Sequence, residues 1–504
     1  MTAASRNAGT IADAVARDRI AVIDLLGPEP FTLTYGELTD RARAVARGLR
    51  KAGVGPGQRV GLLAFNRADY VSVVLGTMLA GAIAVPLNVK LPFETLRAII
   101  QVGEIDFVFF EPPFRELVPP GVGSAGFGAD FDAFLDPGPF EAAPVAAETV
   151  SMQPYTSGST GLPKGVLLTH GGQIWAAEIL VEHRRLRPDH RAILAAPLYH
   201  KNAIVAVKTA LLSGGSMVVM PRFDAAAYAQ AIDRWDVTML TGVPTMMRLL
   251  LDSPALSDEA ARRKVRVVSM GSAPASDKLL ADLRAAFPEA ELHLNYGTTE
   301  GGPIMFGWYH PDGRARPPHS IGYPIAGCEW KLDGGRPGEG ELIVRNPGVA
   351  RGYHKRADAT AARFAEGWYR TGDILRRDAD GWFYFVARTD DIINSGGENV
   401  FPQEVEAVLE RHPAVRAATV IGVDHEIKGQ VPVAFVILED GAIFDEAALK
   451  QFALANGPAY AHPRRVMAAD QFPLTGTNKI DKAALRARID EILATEQKRE
   501  SAHV

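Results

Sequence analysis

The segment Tyr155–Gly165 reads Tyr-Thr-Ser-Gly-Ser-Thr-Gly-Leu-Pro-Lys-Gly and contains residue types that bind a polyanion. Glycines let backbone N–H groups approach closely, hydroxyls donate hydrogen bonds, and Lys164 supplies a positive charge. The segment is not a Walker A motif, because Pro163 stands where that motif has glycine. Gly/Ser/Thr runs are often flexible linkers. Here strand-like apolar residues flank the run, which favours a phosphate-binding hairpin loop.

Further polar residues follow the ends of short apolar segments that read as strands. His200 comes after one such segment, Gly271-Ser272-Ala273 after a second, and Asn295–Glu300 after a third. Open α/β sheets bind ligands at the carboxyl ends of their strands. Glu300 has the hard oxygen ligands that Mg²⁺ prefers, although a carboxylate at a helix N-terminus would look the same. His200 could equally fill the edge of the sheet.

Three residues nearer the C-terminus suit chemistry on a nucleotide. Asp373, in Thr-Gly-Asp, can accept hydrogen bonds from both ribose hydroxyls, and Arg388 is a permanent cation fifteen positions later. Lys479 lies in a polar loop, from which a flexible ammonium can reach between a carboxylate and a phosphate. Taken singly, such residues are more often surface salt bridges or solvated lysines.

Together, in this order, these motifs resemble the signature of the adenylate-forming superfamily, which comprises acyl-CoA synthetases, adenylation domains and luciferases. The resemblance extends from about Phe31 to Lys482 and rests on five motifs. It implies a carboxylate–CoA ligase that uses ATP, Mg²⁺ and coenzyme A. Such an enzyme forms an acyl-adenylate with release of pyrophosphate, and then an acyl-CoA thioester with release of AMP.

The resemblance also implies a role for each motif residue. Lys479, His200 and Thr299 are the predicted catalytic residues, Glu300 the metal ligand and Asp390 the hinge of a mobile domain. The predicted nucleotide and CoA contacts are Thr156, Ser157, Gly158, Ser159, Thr160, Gly161, Lys164, Gly271, Ser272, Ala273, Asn295, Tyr296, Gly297, Thr298, Asp373, Arg388, Ser395, Gly396, Gly397 and Glu398. The predicted acyl contacts are His200, Lys201, Thr241, Gly242, Met270, Gly302 and Ile304. The chain departs from the family pattern at Asn478 and Ala387, where glycine is usual.

Small and apolar residues in the predicted acyl pocket favour an aromatic or medium-chain monocarboxylate. Lys201 and His200 leave open a second carboxylate, a phenolic oxygen or contact with CoA. One alternative function is a stand-alone adenylation enzyme that loads a carrier-protein thiol, although no Gly-x-Ser attachment site follows Lys479. Another is a non-catalytic nucleotide-binding sensor, which the retention of Lys479 and Glu300 disfavours.

The elements that must position these residues follow from length and pattern. At 504 residues the chain exceeds one ordinary core. Alternating helices and short apolar strands predict an α/β fold with layered, mostly parallel sheets. We expect a large domain over residues 1–388 and a small mobile α/β domain over 389–504. A helix is expected around Ile11–Arg19.

Composition excludes several classes of partner. A net charge of −5 argues against nucleic acid, and one cysteine excludes an intramolecular disulfide. The apolar stretch Tyr70–Val89 is interrupted by glycines and a proline, so it predicts a buried helix and a strand rather than a membrane span. A cytoplasmic location is expected, with a small carboxylate, ATP and CoA as partners. The sequence leaves homo-oligomerisation open.

Overall fold

The computed structural model describes residues 6–156, 163–302, 305–475 and 479–501. The first sheet is parallel except for its last pair and carries the predicted ligand turns at its carboxyl edge. Its strands, in spatial order, are Glu291–Asn295, Val267–Gly271, Met239–Gly242, Arg191–Leu194, Ser216–Val219, Ile20–Asp24 and Phe31–Thr34.

The second sheet is parallel except for its edge strand Leu168–Thr169, which pairs antiparallel with Val150–Met152. Its spatial order is Leu168–Thr169, Val150–Met152, Ile83–Pro86, Arg59–Leu63, Ile105–Phe110 and Gly123–Gly126. The pair Tyr155–Thr156 and Lys164–Gly165 forms a separate antiparallel hairpin. Outside this hairpin, Val150–Met152 pairs antiparallel with Leu168–Thr169, which confirms a strand on each side of the phosphate loop.

The third sheet is antiparallel throughout, which the alternation of helices and strands did not predict. Its spatial order is Phe306–Gly307, Ser320–Pro324, Phe383–Arg388, Trp368–Arg377, Glu339–Arg345 and Glu329–Asp333, with Phe364–Ala365 beside Trp368–Arg377. Short turns rather than helices connect most of these strands, and short connections are what antiparallel pairs permit.

The C-terminal sheet has its own cores, made of residues from Ile393 onwards. Its order is Glu398–Val400, Ile393–Ser395, Gly429–Leu438 and Val415–His425, with Arg465–Ala468 parallel to Gly429–Leu438. These separate cores are what a distinct C-terminal domain requires, and the α/β fold class is confirmed. The boundary at residues 388 and 389 stays a prediction.

Helices cover the sheets, and their ends follow ordinary capping rules. Tyr35–Lys51 begins with a capping box in which Thr34 and Glu37 satisfy each other's backbone groups. The other helices are Ala68–Leu79, Phe93–Val102, Ala129–Phe134, His170–His183, Lys201–Leu212, Ala225–Arg234, Pro244–Leu251, Glu259–Lys264, Asp277–Ala286, Ala357–Arg363, Pro402–Leu409, Glu446–Asn456 and Lys482–Ser501. Short 3₁₀ turns span Ala8–Thr10, Pro112–Leu117 and Thr389–Asp391. No helix in the described part of the chain combines the length and apolarity that a bilayer crossing requires.

The prediction of a helix around Ile11–Arg19 is wrong. The chain makes a 3₁₀ turn at Ala8–Thr10 and then continues through turns to the strand at Ile20–Asp24. Gly9 packs so closely on the helix Ala68–Leu79 that a Cβ there would lie 2.7 Å from the Leu75 carbonyl oxygen. Tertiary contact therefore outweighs a weak local preference.

Candidate active site

The predicted ligand turns meet along one edge of the first sheet. Gly242 is in register with Met270, and Gly271 is in register with Asn295. Neighbouring strands lie about 4.8 Å apart, so these strand ends form a continuous row. The Asn295 amide donates to Ser269 Oγ at 2.7 Å and to the Met270 carbonyl oxygen at 3.0 Å, which ties two of the turns together.

The predicted acyl residues are placed with their side chains largely fixed. The Thr241 hydroxyl donates to the Ile193 carbonyl oxygen at 2.5 Å. A Cβ on Gly242 would lie 2.7 Å from Met247 Cε, so the strand end tolerates no side chain without repacking. Met270 is fully buried in the core beneath the sheet. Gly302 adopts φ +98°, and Ile304 lies outside the described residues.

A buried carboxylate, Asp373, is the centre of the predicted nucleotide site. Tyr296 donates its phenolic hydrogen to Asp373 Oδ2 at 2.5 Å. Arg388 Nη1 lies 3.1 Å from Asp373 Oδ1, because the two residues face each other in one antiparallel strand pair. Burial raises the pKa of Asp373, and the Arg388 guanidinium opposes that shift. Within the described residues Oδ1 accepts no hydrogen bond, which suits an acceptor for a ribose hydroxyl.

Two hydroxyls converge on Glu300, the predicted metal ligand. Thr156 Oγ1 and the Tyr353 phenol each donate to Glu300 Oε1 at 3.1 Å. The Glu300 carbonyl oxygen accepts from Ala350 N at 2.7 Å, which fixes the backbone. Mg²⁺ usually takes one or two carboxylates and completes its shell with phosphates and water. A single carboxylate, Glu300, fits that pattern. In the described ranges, no cluster of three or more His, Cys, Asp or Glu side chains is arranged to bind a metal by itself.

Tyr353 is a site residue that the sequence analysis missed. It reaches Glu300 because a backbone bridge pairs it with Val166, next to the phosphate hairpin. The Lys164 ammonium lies 5.2 Å from the centre of the Tyr353 ring. Residues 53 positions apart carry no periodic signal, so spacing alone could not connect Tyr353 with Glu300.

Lys479 interacts electrostatically with the residues predicted to bind the nucleotide. Burial lowers its pKa, the Arg388 guanidinium adds to that shift, and the Asp373 carboxylate opposes it. Burial and the Lys479 charge lower the pKa of His200 to about 4, so this imidazole is neutral at pH 7. Thr475 N donates to the Lys479 carbonyl oxygen at 2.7 Å, which joins the described residues on either side of 476–478.

The start of the helix Lys201–Leu212 touches two ligand turns. Lys201 Nζ donates to the Thr299 carbonyl oxygen at 2.6 Å. Burial lowers the pKa of Lys201 to about 7, while Glu300 opposes that shift. Asn202 donates to Ser272 Oγ at 2.7 Å, and Ser272 holds φ +69°, a conformation that non-glycine residues seldom adopt.

Of the remaining predicted nucleotide contacts, some contact only other protein residues and some lie outside the described residues. Thr156 and Lys164 face each other across the hairpin, while Ser157, Gly158, Ser159, Thr160 and Gly161 lie outside the described ranges. Thr298 Oγ1 accepts from Gly301 N at 2.8 Å and closes the turn that holds Thr299 and Glu300, directly after Gly297. Ala273 is exposed beside Ser272.

The predicted hinge and thiol-admitting hairpin belong to the C-terminal region. Asp390 lies in the 3₁₀ turn Thr389–Asp391, two residues past the strand that ends at Arg388. Ser395–Glu398 is a tight hairpin in which Gly396 and Gly397 have φ +65° and +89°. Gly396 N donates to the Lys428 carbonyl oxygen at 2.8 Å, directly before the strand Gly429–Leu438. The hairpin is thus held by its neighbours in the C-terminal region.

The fold and this site define the class of adenylate-forming enzymes. The family model of the AMP-binding enzymes matches residues 11–354, and that of the AMP-binding enzyme C-terminal domain matches residues 404–479. The chain therefore belongs to the AMP-binding enzymes. Within them it is an AMP-forming acid–CoA ligase, a type of enzyme that uses ATP, Mg²⁺ and CoA.

Similar proteins cover almost the whole chain. A feruloyl-CoA synthase from an Amycolatopsis species is 35% identical over 90% of this chain and 94% of its own length. A 2-succinylbenzoate–CoA ligase from Geobacillus kaustophilus is 33% identical over 94% of this chain and 95% of its own.

Solved structures agree in fold over the same extent. ATP-bound MatB from Rhodopseudomonas palustris superimposes with a TM-score of 0.88 at 28% identity, over 96% of this chain and 99% of that one. The anthranilate CoA ligase AuaEII in complex with anthranoyl-AMP superimposes with a TM-score of 0.87 at 26% identity, over 96% and 97%.

Proposed function

We propose that this ligase activates an aromatic or medium-chain monocarboxylate, and that the aromatic acids are the better substrates. The observation that carries the proposal is the state of the two basic residues in the predicted acyl pocket. His200 is neutral at pH 7, because its pKa lies at about 4. The Lys201 ammonium is buried and donates to the Thr299 carbonyl oxygen. Neither residue is free to neutralise a second carboxylate, so an uncharged acyl tail is favoured.

Three of the similar proteins support the aromatic preference. Feruloyl-CoA synthase, 2-succinylbenzoate–CoA ligase and anthranilate CoA ligase each carry the name of an acid with an aromatic ring. The 2-succinylbenzoate substrate carries two carboxylates, whereas this chain offers no free cation among the two candidates above. We therefore expect a single carboxylate attached to the ring or to a short chain from it.

In the proposed reaction a substrate carboxylate oxygen attacks the α-phosphate of ATP, and the bond to the pyrophosphate leaving group breaks. Lys479 offsets the approach of two anions and the charge that develops in the transition state. Asp373 and Arg388 hold the ribose, while the Tyr296 ring lines the adenine. Glu300 would hold Mg²⁺, which neutralises charge on the leaving pyrophosphate.

In the second half-reaction the CoA sulfur attacks the acyl carbonyl carbon and AMP leaves. We propose that rotation about Asp390 withdraws Lys479 and presents Ser395–Glu398 to the site, with the domain boundary at residues 388 and 389. The support is that the Lys479 charge interacts with Arg388 and Asp373, while the hairpin donates a hydrogen bond to Lys428 within the C-terminal region. Hinges of this kind need few residues.

The test is CoA-dependent AMP release over a panel of acetate, hexanoate, octanoate, benzoate, coumarate, ferulate and malonate. We expect turnover to require CoA and to be fastest with one of the three aromatic acids. Malonate as the best substrate would contradict the proposed uncharged tail. Pyrophosphate release that is indifferent to CoA would instead identify a carrier-protein thiol as the acceptor.

A further inference from the structure

Lys201 is a buried lysine whose ammonium touches the backbone of the ligand turn. Its side chain lies in the core at 4% exposure, and Nζ donates to the Thr299 carbonyl oxygen at 2.6 Å. Burying an ammonium is costly unless hydrogen bonds and charge compensate it. The Thr299 carbonyl supplies the hydrogen bond, and the Glu300 carboxylate lies close enough to contribute an opposite charge.

The carbonyl that Lys201 holds belongs to the peptide that joins Thr299 to Glu300. A peptide unit is planar, so fixing its carbonyl oxygen also fixes the direction in which the next Cα leaves it. The Glu300 carbonyl is held independently by Ala350 N at 2.7 Å. With the peptides on both sides of Glu300 anchored, its side chain leaves the backbone in one direction, towards Thr156 and Tyr353.

We propose that Lys201 is a positioning residue that fixes the Thr299–Glu300 peptide and thereby orients the Glu300 carboxylate, rather than a contact for the acyl group. This role of Lys201 rests on the proposed function, in which the Glu300 carboxylate holds Mg²⁺. Residues that orient a metal ligand from behind typically change metal affinity by about 10- to 100-fold when they are removed.

The chain offers a matched control on the same helix. Lys208 lies two turns further along, is 3% exposed, and donates to Gln173 Oε1 instead of to the ligand turn. Lys201→Met and Lys208→Met each replace a buried ammonium by an unbranched apolar side chain of similar length. Any general loss from removing a buried hydrogen bond is therefore shared by both variants.

The experiment measures the affinities of AMP and of ATP with Mg²⁺ by calorimetry in the absence of acid, and then the KM for the best acid. For Lys201→Met we expect about 10- to 100-fold weaker binding of ATP with Mg²⁺. AMP needs no metal, so its affinity and the KM for the acid should stay within about 3-fold of wild type. Retained AMP binding also shows that the variant is folded. Lys208→Met should leave all three constants within about 3-fold.

Two outcomes would overturn the proposal. Unchanged ATP binding with a KM for the acid raised about 10-fold or more would return Lys201 to the acyl pocket. An equal loss of ATP binding in Lys208→Met would show a general effect of disturbing this helix. A wild-type enzyme that turns over no acid would count against the proposed function alone, because both nucleotide affinities can be measured without an acid.

Discussion

Removing the hydroxyl of Tyr353 tests whether its hydrogen bond holds the Glu300 carboxylate, the proposed metal ligand, in place. The residue is 8% exposed, and its phenol donates to Glu300 Oε1 at 3.1 Å. Its ring packs edge-on against Phe364, with centroids 5.5 Å apart. Tyr353→Phe keeps this ring contact and deletes one donor, so the packing of the site should survive.

The size of the effect follows from the hydrogen bonds that remain. A hydrogen bond to a charged group contributes about 1.5–3 kcal/mol. Thr156 still donates to the same oxygen at 3.1 Å, so the lower end of that range applies. About 1.4 kcal/mol corresponds to a factor of ten, so we expect the KM for ATP with Mg²⁺ to rise about 10-fold. Because the chemical step uses Lys479, kcat at saturation should fall by less than about 3-fold.

The assay is pyrophosphate release at saturating acid while ATP with Mg²⁺ is varied. Tyr384→Phe is the matched control, because that phenol donates to another carboxylate, Asp378 Oδ2, at 2.8 Å outside the site. Its KM should equal that of the wild type. A wild-type KM in Tyr353→Phe would refute the reasoning that this phenol orients Glu300. Equal increases in both variants would point to a general loosening of the structure.

Lys479→Met should slow adenylation by about 100- to 1,000-fold, because a cation aimed at developing charge is lost. Thioester formation from a supplied acyl-adenylate should stay within about 3-fold, and equal losses in both half-reactions would contradict the assigned role. Glu410→Gln should stabilise the protein at high pH. Burial, with the Glu406 and Asp277 carboxylates, raises the pKa of Glu410 to about 7, while a backbone hydrogen bond from Ala418 opposes the shift. Folded protein thus binds this proton more tightly than unfolded protein, so the wild type loses stability as pH rises from about 4.5 to 7. At pH 8 the free energy of unfolding of the variant should exceed that of the wild type by about 2–3 kcal/mol, and at pH 4.5 the two should be nearly equal. Thermal melts at both pH values measure this, and a difference independent of pH would disprove the assignment.

The sequence pattern located helices and strands correctly where residues close together in the sequence determine them. The apolar stretch Tyr70–Val89 forms the buried helix Ala68–Leu79 and the strand Ile83–Pro86, as predicted. The two strands that flank the phosphate loop, Val150–Met152 and Leu168–Thr169, also follow from a turn-forming run between apolar residues. Glycine and proline interrupt apolar runs at fixed places, so the elements could be located without knowledge of their partners.

Pattern failed where distant segments decide the outcome. The turn at Ala8–Thr10 exists because Gly9 fits against a helix more than 60 residues away, and no local preference encodes that contact. Tyr353 lies beside Glu300 because an isolated backbone bridge pairs it with Val166, which is remote in sequence. Asp373 and Arg388 were paired through the family resemblance, and their strand register supplies the physical reason for the pairing.

The place of Asp390 in the chain has a mechanical consequence. It lies two residues past Arg388, which is itself held across the strand pair by Asp373. In any rotation, a point moves in proportion to its distance from the axis. On the proposed hinge, Arg388 lies two residues before the pivot, on the side that Asp373 holds, so its guanidinium would keep its place while the chain beyond Asp390 turns. A domain rotation of this kind would replace Lys479 by the Ser395–Glu398 hairpin without loosening the two residues proposed to hold the ribose.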